Sequence, residues 1–166
     1  MSNQKRVAVS FVCLGNICRS PTAEAVMRHL VHDAGLDHAI GIDSAGTGSW
    51  HIGGERDARS RSVAKRRGMP IVGVARQFKP EDFDRFDLVL ALDKENRREL
   101  LRLAPDESAR AKIRLLRSFD ADAPADAEVP DPYYGGPEGF DQVFDICVAA
   151  CRGLLEYLRR TYHLDR

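Results

Sequence analysis

Residues 12–21, which read VCLGNICRSP, constrain the fold of this chain more than any other stretch. They follow an apolar run, VAVSFV at 7–12, that predicts a buried parallel strand. Pro21 suits the first turn of a helix, where its missing N–H costs nothing. The stretch therefore predicts a strand that ends in a tight loop at a helix N-terminus, a geometry that directs backbone N–H groups at an anion.

The side chains on this loop are suited to phosphate chemistry. Cys13 ends the strand, and Arg19 follows with a planar guanidinium that can hold two phosphoryl oxygens. A cysteine beside arginine at a helix N-terminus is favoured as the thiolate, which is its nucleophilic form. We therefore predict Cys13 as a nucleophile and Arg19 as the residue that stabilises the transition state. The predicted phosphate-binding residues are Leu14, Gly15, Asn16, Ile17, Cys18, Arg19 and Ser20.

A cysteine and an arginine at this spacing are a weak signal alone, because the chain holds many arginines. The residues between them strengthen it. Gly15 can take a positive φ and let successive N–H groups point inward, and Asn16 tolerates left-handed geometry while its amide braces the loop. Ser20 can cap the helix or donate to the thiolate. The alternative is a structural cysteine in a strand-to-helix turn with a surface arginine.

Strands and helices alternate along the chain. This order predicts an α/β fold, a doubly wound, four-stranded parallel sheet with helices on both faces, in a single domain over residues 1–166. A ligand is then expected beyond the carboxyl ends of the strands, where Cys13 lies. The predicted strands are 7–12, 40–44, 86–92 and 113–116, and the predicted helices are 21–34, 57–67, 93–103 and 140–162.

A loop rich in Asp, Pro and Gly fills residues 118–139, and a loop of that length in a compact domain is usually functional. Asp131 lies between two prolines that fix where its carboxylate points, so we predict it as the general acid and then the base. The other acids of the loop are expected to be solvated charges: Asp120, Asp122, Asp126 and Glu128.

The chain carries 25 basic and 25 acidic residues, so its formal net charge is zero. Sequence-independent nucleic-acid binding needs a basic surface, which argues against that class of function. Residues 1–6 are polar, and the next apolar run is too short for a signal peptide or a membrane span. We expect a cytoplasmic monomer with no nucleic-acid, membrane, metal or cofactor partner.

Two further groups of residues have simple structural explanations. Arginines cluster at 56, 59, 61, 66 and 67, where a solvated helix face is expected rather than a docking patch. Cys147 and Cys151 lie four residues apart on an amphipathic helix and are expected to be core residues. No cysteine spacing resembles a zinc site with histidine support.

The segments CLGNICRSP at 13–21 and DPYY at 131–134 resemble the low-molecular-weight protein tyrosine phosphatases, as do DSAGT at 43–47 and ARQ at 75–77. The resemblance covers nearly the whole chain. It implies a nucleophile at Cys13, transition-state binding by Arg19 and a general acid at Asp131. It further implies that Ser20 hydrogen-bonds the thiolate, and that Asn16 and Ser44 hold the loop rigid.

The resemblance also implies an aromatic substrate cleft. Trp50, the only tryptophan, lies in the glycine-rich stretch 46–54 and is expected to form one wall, with Tyr133 and Tyr134 on the other side. A deep aromatic slot would select phosphotyrosine over the shorter phosphoserine. The expected partners are thus proteins or peptides that contain phosphotyrosine, with inorganic phosphate as the product.

One position departs from the family. Many members carry a histidine three residues before the arginine of the ARQ segment, paired with the glutamate that matches Glu24, and this chain has Gly73 there. The support behind the phosphate loop must therefore be built differently. Glu24 is expected to be a solvated helix residue without a carried-over role.

Other functions remain open at this stage. An arsenate reductase would use the same fold, but it generally needs redox cysteines near mid-chain, and none lies between Cys18 and Cys147. A protein arginine phosphatase usually has threonine where this chain has Ile17. A phosphate- or thiol-sensing module would be favoured if Arg19 or the acid were missing. Cys18 is either a redox partner for Cys13 or a small buried spacer.

Overall fold

The computed structural model describes residues 5–132, 136 and 138–164. Four strands and five helices alternate along the described chain. The strands are β1 (Val7–Cys13), β2 (Ile40–Gly46), β3 (Leu88–Ala91) and β4 (Ile113–Leu115), and the helices are α1 (Arg19–Asp33), α2 (Ala58–Arg66), α3 (Lys94–Leu103), α4 (Glu107–Ala111) and α5 (Glu138–Tyr162). Short 3₁₀ turns span Pro80–Asp84 and Leu116–Phe119.

All described strands run parallel in one sheet of order β2-β1-β3-β4. The chain winds outwards from β1 in one direction through β2 and in the other through β3 and β4. The carboxyl end of β1 is therefore the switch point of a doubly wound sheet, where such folds bind ligands. This confirms the predicted fold class and places Cys13 at that point.

The period-two pattern of β1 divides the core into two layers. Val7, Val9 and Phe11 face the layer that contains α1 and α5, whereas Val12 faces a second layer with residues of β4 and α3. Because each face of the sheet is covered by helices, β1 is buried along most of its length.

Three helical segments lie in stretches where the sequence predicted none: α4 and the two 3₁₀ turns. The helix α4 is only five residues long, and its N-cap Asp106 accepts from the amide of Ala109 at 2.8 Å. The turn at 80–84 is closed by Asp82, whose carboxylate accepts from the amide of Lys79 at 2.8 Å. Side-chain caps stabilise α4 and this turn. Each is only five residues long, which is too short to show the apolar periodicity that predicts a helix.

The two cysteines of α5 are core residues, as predicted. Cys147 and Cys151 are fully buried among α1 and α5 residues. Burial raises the pKa of the Cys147 thiol to about 12 and that of Cys151 well above its ordinary value. Within the part of the chain that the structure describes, no helix is long and apolar enough to cross a bilayer.

Candidate active site

The loop between β1 and α1 folds as a cradle beyond the end of the sheet. Asn16 adopts the left-handed conformation with φ of 56°, as its residue type suggested. The expectation of a positive φ at Gly15 is wrong, since Gly15 is not among the left-handed glycines. The helix α1 begins at Arg19, two residues before the predicted start, so its first-turn amides border the loop.

Close approach, rather than backbone conformation, accounts for the small residues around this loop. A Cβ on Gly15 would lie 2.9 Å from the ring of His51, so the imidazole covers the loop here. A Cβ on Gly46, at the end of β2, would lie 2.7 Å from the carbonyl of Leu14. Two glycines thus let the ring of His51 and the end of β2 pack directly against the cradle.

A buried chain of polar contacts fixes the loop from behind. Asn16 Nδ2 donates to Ser20 Oγ at 2.8 Å and to Ser44 Oγ at 3.0 Å. The sulfur of Cys13 lies 2.9 Å from Ser20 Oγ. Ser20 Oγ accepts from Asn16, so its own proton can be donated, and the sulfur is a nearer acceptor than the carbonyl of Ala45 at 3.4 Å. The structure thus brings together the three residues predicted to support the loop.

The side-chain oxygen of Asn16 is held by the backbone of Arg76. Asn16 Oδ1 accepts from the backbone amide of Arg76 at 3.0 Å, which settles the orientation of the amide group. The Arg76 guanidinium pairs with Asp43, and its Nη1 lies 3.0 Å from Asp82. The ARQ segment therefore locks the loop to β2 and to the 3₁₀ turn.

Glu24 is not a solvated helix residue, contrary to the expectation. It is buried, and its Oε1 accepts from Ser44 Oγ at 2.5 Å. Arg28 Nη2 donates to the other oxygen at 2.8 Å. The side of α1 that carries Glu24 is turned inward because it packs behind the phosphate loop.

The expectation of a solvated arginine face is wrong for Arg56. Its side chain is buried and precedes α2, whereas the other four arginines of the cluster are at least one-third exposed. Arg56 Nη1 lies 4.0 Å from Glu24 Oε1. The guanidinium thus approaches the same carboxylate that supports Ser44.

Arg19 is held by groups that lie at the end of β3, the strand next to β1. Its Nη1 lies 2.6 Å from Asp93 Oδ2 and donates to the carbonyl of Val129 at 3.0 Å. Asp93 also caps α3, because its Oδ1 accepts from the amide of Asn96 at 2.7 Å. Burial by itself would lower the pKa of Arg19, but the charge of Cys13, the hydrogen bond and charge of Asp93, and the charge of Asp131 together outweigh it and raise the pKa.

The long loop brings Asp131 to the same place. Asp131 Oδ2 lies 3.8 Å from Arg19 Nη2, and the carboxylate is 43% exposed. Three other acids of the loop have partners elsewhere, and Asp122 is exposed: Glu128 accepts from the amide of Lys94 at 2.8 Å, and Asp126 lies 3.9 Å from Arg97. Asp120 accepts from the amide of Asp122 at 3.0 Å.

These groups surround one open cavity of about 250 Å³. Its lining residues are Cys13, Leu14, Gly15, Ile17, Cys18, Arg19, Trp50, His51 and Asp131. Trp50 is 74% exposed and thus stands as a free wall at the mouth. Tyr133 and Tyr134, predicted for the opposite wall, lie outside the described residues.

Cys18 borders the cavity with its thiol largely buried. Burial first, and the charge of Asp57 next, raise the pKa of this thiol to about 12. Cys18 is therefore protonated at neutral pH. Both cysteines of the loop are free thiols.

Sequence reasoning missed four residues of this region: Glu24, His51, Arg56 and Asp93. Asp93 carried a usable signal, because an Asp that directly follows a buried strand and precedes a helical pattern is a typical N-cap at the sheet edge. The other three depend on how distant segments approach one another, and no local pattern marks them.

The position of the thiol at the switch point, beneath an amide loop and an arginine, defines the class: an α/β protein with a cysteine-centred anion site. Residues 8–164 match the model of the family described as low molecular weight phosphotyrosine protein phosphatase. The chain belongs to this family.

Individual relatives agree with this assignment. The chain is 53% identical to a low molecular weight protein-tyrosine-phosphatase of Streptomyces coelicolor, over 91% of this chain and 93% of that protein. A protein tyrosine phosphatase from Entamoeba histolytica, solved with Hepes in its active site, superimposes with a TM-score of 0.89 at 42% identity and covers 93% of this chain and 98% of its own. An arginine phosphatase from Drosophila gives a TM-score of 0.84 at 35% identity, over 91% and 97% of the two chains.

Proposed function

We propose that this protein hydrolyses phosphotyrosine, and aryl phosphates in general, through a cysteinyl-phosphate intermediate. The observation that carries the proposal is that Cys13, Arg19 and Asp131 line one cavity at the switch point of the sheet. Membership of a family whose relatives are named as tyrosine phosphatases supports the same substrate class.

In the first step, the thiolate of Cys13 attacks phosphorus while the bond from phosphorus to the aryl oxygen breaks. Asp131 gives its proton to the departing oxygen, so the phenol leaves neutral. The amides of the loop and the Arg19 guanidinium hold the three equatorial oxygens, where charge must be stabilised. Because Asp93 and Val129 fix Nη1, the guanidinium meets the phosphoryl group already oriented.

In the second step, water attacks the phosphocysteine and the bond between sulfur and phosphorus breaks. Asp131, now a carboxylate, takes the proton of the attacking water, and inorganic phosphate leaves. The hydroxyl of Ser20 donates to the sulfur, which makes the thiolate a better leaving group. Asn16 and Ser44 keep Ser20 in place for both steps.

The cavity walls favour a long, flat substrate side chain. Trp50 and His51 both line the cavity, and an exposed indole can stack on a phenyl ring. We expect such walls to favour phosphotyrosine over phosphoserine, whose shorter side chain reaches less far towards Cys13. Tyr133 and Tyr134 lie outside the described residues, and their part in the cleft stays a prediction from the family resemblance.

Hydrolysis of p-nitrophenyl phosphate by the wild-type protein and by Cys13→Ser tests the mechanism. We expect turnover by the wild type and none by the variant, whose hydroxyl stays protonated at neutral pH. The variant should stay folded and bind phosphate. Appreciable turnover by Cys13→Ser would contradict a covalent intermediate on this sulfur.

An arginine phosphatase is the second candidate, because a Drosophila arginine phosphatase shares the fold at 35% identity. Ile17, which lines the cavity, opposes it, since that branch usually has threonine there. Peptides of one sequence that carry either phosphotyrosine or phosphoarginine separate the two. We expect faster release of phosphate from phosphotyrosine, and a preference for phosphoarginine would reassign the substrate.

We place the enzyme in the cytoplasm as a monomer, with the whole chain, 1–166, as one domain. Its expected macromolecular partners are phosphotyrosine proteins, with no nucleic acid or membrane. The zero net charge of the chain supports the absence of a nucleic-acid partner.

A further inference from the structure

The position of Arg56 is set by contacts between two distant loops. Glu55 and Val74 form an isolated antiparallel bridge, and the amide of Gly53 donates to the carbonyl of Ala75 at 2.8 Å. Arg56 Nη2 donates to the carbonyl of Val74 at 2.7 Å. A Cβ added to Gly73 would lie 3.7 Å from this same nitrogen. The guanidinium therefore borders the space that a side chain at position 73 would enter.

A buried arginine in this place is costly as a purely structural element. Its relative exposure is 6%, and among the described residues nothing accepts a hydrogen bond from Nε or Nη1. Burial lowers the pKa of Arg56, and the negative charges of Glu24, Cys13 and Asp43 oppose that shift. A neutral side chain of similar volume would fill the site without this cost. Stability alone therefore does not account for a charged residue here.

The hydrogen bonds that link Glu24 to the phosphate loop suggest a role for the charge of Arg56. Its carboxylate accepts from Ser44, which lets Ser44 accept from Asn16. Asn16 also donates to Ser20, so the Ser20 proton is turned towards its acceptors, of which the sulfur of Cys13 at 2.9 Å is nearer than the carbonyl of Ala45 at 3.4 Å. The order holds only while Glu24 is an acceptor. Arg28, the other cation on Glu24, is half-exposed and thus screened by solvent.

We propose that Arg56 is a positioning residue of the phosphate site, which holds Glu24 as an acceptor and so orients Ser44, Asn16 and Ser20 towards Cys13. It supplies from the segment before α2 the support that position 73 lacks. This rests on the proposed phosphatase function only for the turnover measurements below. Binding of inorganic phosphate to the same loop reports on the orientation of the loop without any turnover.

The test compares Arg56→Met, which removes the charge, with Arg56→Lys, which keeps it. For Arg56→Met we expect both kcat with p-nitrophenyl phosphate and affinity for inorganic phosphate, measured by calorimetry, to fall about tenfold, below the ~100-fold that a 1 Å misplacement can cause. Arg56→Lys should recover most of both losses. The matched control is Arg66→Met, an exposed arginine of α2, which should match the wild type.

Glu24→Gln decides whether Arg56 acts through the carboxylate. In that background, Arg56→Met should have little further effect on kcat or phosphate affinity, whereas independent roles would give additive losses. Arg56→Met leaves the buried Glu24 with only the half-exposed Arg28, so its melting temperature should fall, and Arg56→Lys should lower it less. Thermal unfolding therefore fixes a temperature at which all variants are folded, and kcat and phosphate affinity are compared there. If Arg56→Met does not fold, Arg56→Gln replaces it.

Three results overturn the proposal: a folded Arg56→Met with wild-type kcat and phosphate affinity, no recovery by Arg56→Lys, or additive losses with Glu24→Gln. If the wild type binds phosphate but hydrolyses no phosphoester, the proposed function fails instead. The calorimetric measurements of phosphate affinity would then still test the role of Arg56.

Discussion

The pair formed by Arg19 and Asp93 offers a prediction whose size can be worked from the structure. Removing one partner of a buried ion pair costs roughly 3–5 kcal/mol. The Arg19 side chain is 5% exposed, but that of Asp93 is 18% exposed, and Arg19 keeps the Val129 carbonyl and the nearby Asp131. For Asp93→Asn we therefore expect a smaller loss, about 1–3 kcal/mol of unfolding free energy.

The substitution isolates the charge, because asparagine caps a helix about as well as aspartate does. Asp93→Ala loses the bond to the Asn96 amide as well and should cost about 1 kcal/mol more. Asp106→Asn is the matched control: this N-cap of α4 has no ion pair among the described contacts and should change stability by less than about 0.5 kcal/mol.

Urea denaturation followed by circular dichroism measures the three free energies, and initial rates with p-nitrophenyl phosphate give kcat/KM. Arg19 without its anchor should hold the phosphoryl group poorly, so kcat/KM of Asp93→Asn should fall about 10- to 100-fold. A variant of wild-type stability and kcat/KM would refute the argument that Asp93 fixes the guanidinium.

Four further outcomes are expected. Asp131→Asn should slow the hydrolysis of phosphate esters of weakly acidic phenols by about 10²–10⁴-fold and that of p-nitrophenyl phosphate less, because a poor leaving group needs the proton most. If the rates with all esters fell by one common factor, the residue would be structural. Trp50→Ala should raise KM for aryl phosphates about 2- to 13-fold, from a ring contact worth roughly 0.5–1.5 kcal/mol, and an unchanged KM would remove it from the cleft. Peroxide should inactivate the enzyme reversibly, and Cys18→Ser should shift this towards irreversible loss; equal recovery of both would leave Cys18 a spacer. The pKa of Cys147 is about 12 in the folded protein against an ordinary value of 9.0, so the unfolded chain releases this proton first as pH rises. The free energy of unfolding should therefore fall as pH rises from 9 towards 12. Urea titrations at several pH values should show a smaller fall for Cys147→Ala.

The order of strands and helices was predictable because each depends on local patterns. The apolar run before Cys13 and the helical spacing after it sufficed to place the thiol at the end of a central strand. Asn16 was correctly expected in the left-handed region, since its side chain allows it without tertiary help.

The support behind the loop was not predictable in the same way. Glu24 and Arg56 are charged, which on average indicates exposure. Glu24 is buried because its side of α1 packs behind the phosphate loop, and Arg56 is buried beside the bridge between the distant residues Glu55 and Val74. The ring of His51 packs against Gly15, and this contact also joins residues that are far apart in the sequence. The sequence shows glycine at position 73, but only the fold shows that Arg56 lies beside it.

Val129 has a consequence for engineering this protein. Its amide donates to the carbonyl of Leu92 at 2.8 Å, and its carbonyl accepts from Arg19 at 3.0 Å, so the chain is clamped two residues before Asp131. Residues 120–126 lie upstream of the clamp and are mostly exposed. A foreign peptide inserted after Pro124 should therefore leave turnover unchanged. A ligand-controlled insert meant to switch the enzyme would have to enter between the clamp and the acid, at Pro130.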